Sequence, residues 1–110
     1  MLFRSAPANA KVIGWVDAAS FISACDIILS TSENEGMPVA LIEAQLAGRP
    51  VLATNVGSVS EVVINEQTGL VVNKDKSELV RALKVLLSDS TKLQRFRNEA
   101  AKHEIGRAHV

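Results

Sequence analysis

Two glutamates flank the stretch of sequence whose residue types point most clearly to chemistry, Glu35-Gly36-Met37-Pro38-Val39-Ala40-Leu41-Ile42-Glu43. Pro38 suits the first position of a helix, because its missing N–H would have no partner there in any case and its φ is already helical. Gly36 has no Cβ to keep the backbone away from a ligand. The stretch therefore predicts a loop that approaches a bound molecule and runs directly into a helix.

The start of this predicted helix offers hydrogen-bond donors. The N–H groups of Val39 and Ala40 would lie at its positive end without partners inside the helix, an arrangement that favours a phosphate. Glu35 would lie in the loop beside that phosphate, and Glu43, about a turn and a half into the helix, could accept two hydroxyl groups of one ribose. This geometry fits a nucleotide-sugar better than a single ion. From spacing alone, two ordinary surface acids remain the alternative.

Apolar runs alternate with amphipathic stretches along the first two thirds of the chain. Strands are predicted at 12–16, 26–30, 51–54 and 70–72, and helices after the cap residue Asp17, over 38–47 and around 61–64. The run at 26–30 shows so little alternation that it indicates a strand buried on both faces. Strands that alternate with helices predict an α/β fold with a parallel sheet of about four strands.

Two helices are predicted in the last third of the chain. The first follows Lys76, with one apolar face formed by Leu79, Leu83, Leu86 and Leu87. The second is predicted to be capped by Ser90 and to run through His103, with an apolar face formed by Leu93, Phe96 and Ala100.

The loops of unusual composition are expected to meet at one edge of the sheet. Ligands of such sheets bind beyond the carboxyl ends of the strands. The loops there are 31–35, 55–60 and the turn after Val16, and Gly57 is expected to provide a close turn below the site. The topology thus predicts a site on this rim independently of any family.

Composition and charge exclude several classes of function. The chain has 110 residues, 47% hydrophobic and 22% charged, and its net charge is zero, which argues against a nucleic-acid partner. No apolar run reaches the length of a membrane span. Cys25 is the only cysteine, so no internal disulfide forms and the cytoplasm is the expected compartment. The two histidines lie near the end of the chain, and no metal site is expected.

Several ordered segments resemble the C-terminal, donor-binding domain of retaining glycosyltransferases of the family-4 type, which have two Rossmann-like domains (the GT-B fold). The resemblance runs from about Val12 to His103. It is carried by the Glu-x7-Glu stretch and by residues 13–16, 24–30, 43–51 and 55–61. It implies a Rossmann-like sheet and an enzyme that transfers a hexose from a nucleotide-diphosphate sugar with retention of configuration. That sugar is the substrate, and no cofactor is implied.

The resemblance also implies a role for each matching residue. Glu35 is expected to reach the hydroxyl groups of the donor sugar and is the candidate catalytic residue, whereas Glu43 is expected to hold the ribose. The other candidate donor-binding residues are Ser32, Gly36, Met37, Val39, Ala40 and Gly57. Any association with a membrane surface is expected of the parent enzyme only.

Two departures from the family pattern bear on activity. Met37 and Pro38 replace an aromatic residue and a glycine, and the N–H that is lost at Pro38 is worth on the order of 1 kcal/mol if it normally binds the donor. The arginine–lysine pair that neutralises the diphosphate and the acceptor domain both fall upstream of Val12 and have no counterpart here. The chain alone is therefore expected to be inactive and to need that N-terminal domain in cis.

Two other functions fit an α/β chain of this kind. A nucleotide-sugar epimerase binds the same donor but brings different acid–base groups. A receiver-like signalling module needs a phosphoacceptor aspartate at the end of a strand, whereas Asp26 begins one.

The two ends of the sequence predict each other. Met1–Ser5 can be encoded by GTG-CTC-TTC-CGA-TCT, and the reverse complement of that string contains ATC-GGA-AGA-GCA, which encodes Ile-Gly-Arg-Ala. The chain ends in Ile105-Gly106-Arg107-Ala108-His109-Val110. We therefore expect residues 6–104 to be a partial glycosyltransferase domain, with adapter-derived tails at 1–5 and 105–110; an ordinary disordered tail is the alternative.

Overall fold

The computed structural model describes residues 7–11, 13–14, 17–31 and 39–108, the last five of them by their backbone alone. Eight elements follow one another within this part of the chain: α1 (Ala18–Ser23), β1 (Ile28–Ser30), α2 (Val39–Leu46), β2 (Val51–Thr54), α3 (Val59–Val62), β3 (Gly69–Val72), α4 (Lys76–Ser88) and α5 (Ser90–Ala108).

The three described strands form one parallel sheet in the order β1-β2-β3. Ile28 lies opposite Val51, which in turn lies opposite Gly69. Because all three strands run in the same direction, their carboxyl ends lie along one edge of the sheet. The predicted α/β class with a parallel sheet is confirmed.

Helices cover both faces of the central strand, and all four residues of β2 are buried. On one face, Val51 and Ala53 pack with residues of α1, α2 and α3. On the other face, Leu52 packs with Leu70, Leu86 and Phe96. A strand between two helical layers has no solvent-facing side, which explains why 51–54 contains no alternation of polar and apolar residues.

The prediction that the strand at 26–30 is buried on both faces is wrong. β1 begins at Ile28 rather than Asp26, and 47% of the Leu29 surface is exposed. Leu29 lies opposite Leu52, on the sheet face that α4 and α5 cover at β2, but β1 is an edge strand of the described sheet and the described helices leave nearly half of the Leu29 surface uncovered. The strand predicted at 12–16 is likewise absent at Ile13 and Gly14, where Gly14 has a φ of 66°; residues 12, 15 and 16 lie outside the described part.

The predicted helix boundaries at Asp17 and Gly48 are confirmed. The Asp17 carboxylate accepts a hydrogen bond from the Ser20 N–H at 3.0 Å and so caps α1. Gly48 adopts a φ of 70° after α2, and the N–H groups of Gly48 and Arg49 donate to the carbonyls of Gln45 and Ala44, both at 2.9 Å. This is the Schellman pattern, in which a glycine ends a helix.

Four details of the later helices differ from the predictions. α3 starts two residues before the predicted Glu61. In α4, Leu86 is fully buried but Leu87 is 68% exposed, because it lies at the margin of the buried face. Asp89, rather than Ser90, caps α5 by accepting from the Lys92 N–H at 2.9 Å, and α5 continues past His103 to Ala108. The predicted α5 face is confirmed at Phe96 and Ala100, which are fully buried.

Candidate functional site

The start of α2 lies on the carboxyl rim of the sheet. β1 ends at Ser30, α2 begins at Val39, and the chain then returns to begin β2 beside β1. The first N–H groups of such a helix have no carbonyl of a preceding turn to bond. Val39 and Ala40 are both exposed, so this end of α2 is accessible to a ligand.

Glu43 lies one turn further along α2, on its exposed face. No hydrogen bond or ion pair within the described residues engages its carboxylate. An open hollow of about 440 Å³ between α1 and α2 is lined by Ala19, Ile22, Ser23, Glu43, Leu46 and Ala47. The Glu43 carboxylate therefore lies beside a concave surface with no partner among the described residues.

α1 forms one wall of this hollow, and contacts with the core and with Arg49 fix its position. Ile22 is buried in the core that α1 shares with α2. The Arg49 guanidinium, just beyond α2, donates to the Ser23 carbonyl at 2.9 Å. One wall of the hollow is therefore fixed to the corner that leads from α2 into β2.

The opposite face of α2 is buried through Leu41, Ala44 and Gln45. Gln45 is fully buried, and its Nε2 donates to the carbonyls of Leu41 at 3.3 Å and Val62 at 3.1 Å. Sequence reasoning did not single out this residue. The sequence does carry a signal of its burial: Gln45 lies four positions after Leu41 and therefore on the same, inward-packing face of the helix.

Gly57 lies in the loop between β2 and α3, at the same rim. It adopts a φ of 51°, in the left-handed region that favours glycine. The loop begins at Asn55, whose N–H donates to the Val72 carbonyl at 2.7 Å and so joins the ends of β2 and β3.

The structure thus brings four of the candidate residues to one end of the domain, namely Val39, Ala40, Glu43 and Gly57. Ser32, Glu35, Gly36 and Met37 lie outside the described residues, as does Pro38. The roles assigned to all eight candidates stay predictions.

The described part of the chain contains no group of three or more His, Cys, Asp or Glu side chains placed to hold a metal ion. None of its helices combines the length and apolar character needed to cross a membrane.

Comparison with known proteins identifies the family. Glycosyl transferases group 1 matches residues 2–103, almost the whole chain. The chain belongs to this family. Among its relatives, the D-inositol 3-phosphate glycosyltransferase of Rhodococcus jostii is 37% identical over 81 residues, which are 73% of this chain but 18% of that protein. The chain therefore spans about a fifth of the length of this curated relative.

Solved glycosyltransferase structures share the fold of this chain. Anabaena HepE in complex with UDP-glucose matches with a TM-score of 0.76 and 25% identity, over 84% of this chain and 26% of that one. The C-terminal domain of the group 1 glycosyl transferase LpcC of Francisella tularensis matches with a TM-score of 0.77 and 24% identity, over 88% and 52%. The expected family and fold are confirmed, and nothing here favours the epimerase or the receiver-like module.

Proposed function

We propose that this chain is the nucleotide-sugar-binding part of a retaining glycosyltransferase, which transfers a hexose from a nucleoside diphosphate to an acceptor. The observation that carries the proposal is the geometry of α2. Its first N–H groups lie on the carboxyl rim of the sheet, and the exposed Glu43 follows one turn later without a partner in the described part of the chain. HepE, which shares the fold, was solved with UDP-glucose, and this supports a nucleotide-sugar as the ligand.

The exposed groups of α2 are assigned roles that fit their positions, and Glu35 keeps the role that the family resemblance implies. The N–H groups of Val39 and Ala40 would bind the diphosphate, where their partial charge and the helix dipole stabilise the negative leaving group. Glu43 would accept the two ribose hydroxyls, and Glu35 would contact the donor sugar. This stabilisation is electrostatic and preorganised, so it proceeds without a metal ion.

The parent protein would complete the site. An acceptor domain in cis and basic residues upstream of this chain would close the cleft over the sugar and neutralise the diphosphate. We therefore expect the chain of 110 residues to bind nucleoside diphosphates weakly and to transfer no sugar.

Titration of the chain with UDP, followed by amide NMR signals, tests the binding. The signals of Val39, Ala40 and Gly57 are expected to shift together, and uridine, which lacks the diphosphate, is expected to shift them much less. Shifts confined to α4 and α5 would contradict the site. Incubation with UDP- and GDP-hexoses tests turnover, and clear hydrolysis or transfer by the chain alone would contradict its assignment as an incomplete enzyme.

A further inference from the structure

Gln45 is the one fully buried polar side chain of α2, and its amide connects α2 to α3. A side-chain amide that leaves water without hydrogen bonds destabilises a fold, so buried amides are retained where they have partners. Gln45 Nε2 donates to Val62 of α3 at 3.1 Å and to Leu41 within its own helix at 3.3 Å.

The hydrogen bond from Gln45 reaches a short helix that needs contacts with other elements to be stable. α3 has four residues, too few to form a stable helix by itself. Val62 is its last residue, and the carbonyl groups at the end of a helix have no partner inside that helix. Gln45 therefore supplies, from a different helix, a hydrogen bond to the carboxyl end of α3. Val59 and Val62, at 1% and 3% exposure, provide the apolar part of the same contact.

The two helices joined by Gln45 carry the two described parts of the candidate site. Glu43 lies two residues before Gln45 on α2, and Val39 and Ala40 begin that helix. α3 begins directly after Gly57 and Ser58. We infer that Gln45 is a positioning residue for donor binding: its amide sets the placement of the Gly57 loop relative to the first turn of α2. This inference rests on the proposed function.

Gln45→Met tests the role of the amide, because methionine has a similar length and volume but no donor. Gln94→Met is the matched control, since Gln94 is exposed and its Nε2 donates to the Asn98 side chain in the same helix at 3.3 Å. At a temperature where both variants are folded, Gln45→Met is expected to bind UDP about fivefold more weakly than the unaltered chain. Amide exchange over 55–63 is expected to accelerate while that of α4 stays unchanged. Gln94→Met is expected to alter neither quantity.

A second measurement needs no variant. Coupling between two sites is reciprocal, so UDP at the rim must in turn stabilise the Gln45–Val62 hydrogen bond. The Nε2 protons of Gln45 are expected to exchange about fivefold more slowly in the UDP-saturated chain, whereas those of Gln94 do not change.

The outcomes separate the two proposals. If the unaltered chain does not bind UDP, the proposed function is wrong and the role of Gln45 falls with it. If the chain binds UDP but Gln45→Met binds it equally well, or UDP leaves the Nε2 exchange unchanged, Gln45 is a structural residue only. In that case the proposed function stands and this inference is overturned.

Discussion

The Asn65 side chain closes the outer edge of β3: its Oδ1 accepts a hydrogen bond from the Val71 N–H at 2.9 Å. The backbone N–H and C=O groups of successive residues in a strand point to opposite sides. The Val72 carbonyl points toward β2, where it accepts a hydrogen bond from the Asn55 N–H. Gly69 and Val71 therefore face away from β2. The Gly69 carbonyl also has a partner on this side, since it accepts a hydrogen bond from the Glu66 N–H at 2.8 Å. The turn before β3 thus covers a strand edge that could otherwise pair with another chain.

Asn65→Ala is expected to open this edge. The free Val71 N–H would then lie on an apolar strand, and we expect concentration-dependent association together with a loss of stability of about 1 kcal/mol. Asn65→Asp keeps an acceptor at the same place and is expected to remain closer to the unaltered chain. Light scattering over a concentration series makes the comparison, and equal behaviour of the two variants would show that the acceptor at position 65 does not protect the edge.

Gly69 and Gly48 are predicted to respond differently to alanine. A Cβ at Gly69 would overlap the Val51 carbonyl across the β2–β3 pair, so the strands would have to separate. At Gly48 the nearest described atom is the Arg97 carbonyl oxygen at 3.7 Å, and only the φ of 70° is unfavourable. We expect Gly69→Ala to lower the free energy of unfolding by about 3 kcal/mol and Gly48→Ala by about 1 kcal/mol. Urea unfolding of both variants measures the difference; a larger loss for Gly48→Ala would contradict the close approach of β2 and β3.

The cap of α1 is predicted to fail in acid. Hydrogen bonds from the Ser20 hydroxyl and then the Ser20 N–H hold the pKa of Asp17 below its ordinary value of 3.8. A carboxyl group whose pKa is lowered by folding stabilises the fold fully above its unfolded pKa, and that contribution is lost as pH falls through the folded pKa. NMR titration should show α1 losing amide protection below about pH 4, together with protonation of Asp17.

Ser20→Ala removes the larger of the two causes and is the direct check on this prediction. It is expected to raise the pKa of Asp17 toward 3.8. An unchanged Asp17 titration in this variant would mean that the serine hydroxyl is not responsible for the lowered value.

Local signals in the sequence were sufficient for the boundaries of several elements. Asp17 begins α1 and Gly48 ends α2 through hydrogen bonds between residues at most five positions apart, so the residue type alone predicts each boundary. Phe96 and Ala100 repeat at helical spacing, and that spacing predicts the buried face of α5. The part of the candidate site at the start of α2 was predictable for the same reason, because a short stretch of sequence determines where that helix begins.

The features that were missed depend on contacts between different elements of the fold. The exposure of Leu29 depends on which elements cover β1, and no property of 26–30 contains that information. Gln45 and Asn65 look like ordinary polar residues until their partners, 17 and six positions away, are placed beside them. The position of Glu43 on an exposed face was predictable, whereas the hollow beside it required the packing of α1 on α2.

The last prediction separates the two glutamates, in the full-length parent enzyme. Glu43→Gln replaces a charged double acceptor by an amide with one acceptor oxygen. If both charged hydrogen bonds to the ribose are lost, donor affinity is expected to fall by roughly 1.5–3 kcal/mol, and the affinity for free nucleoside diphosphate is expected to fall in parallel. Glu35→Gln alters contacts to the sugar, so it is expected to lower the transfer rate and leave diphosphate binding nearly unchanged.

The contrast follows from position, because Glu43 lies on the exposed face of α2 whereas Glu35 precedes that helix in the sequence. Calorimetric titration of both variants with diphosphate and with intact donor distinguishes the two effects. Glu61→Gln is a suitable control, since Glu61 is an exposed acid of α3 to which no role is assigned. If Glu43→Gln binds diphosphate as tightly as the control does, Glu43 does not hold the ribose, and the pair of glutamates reduces to two surface acids.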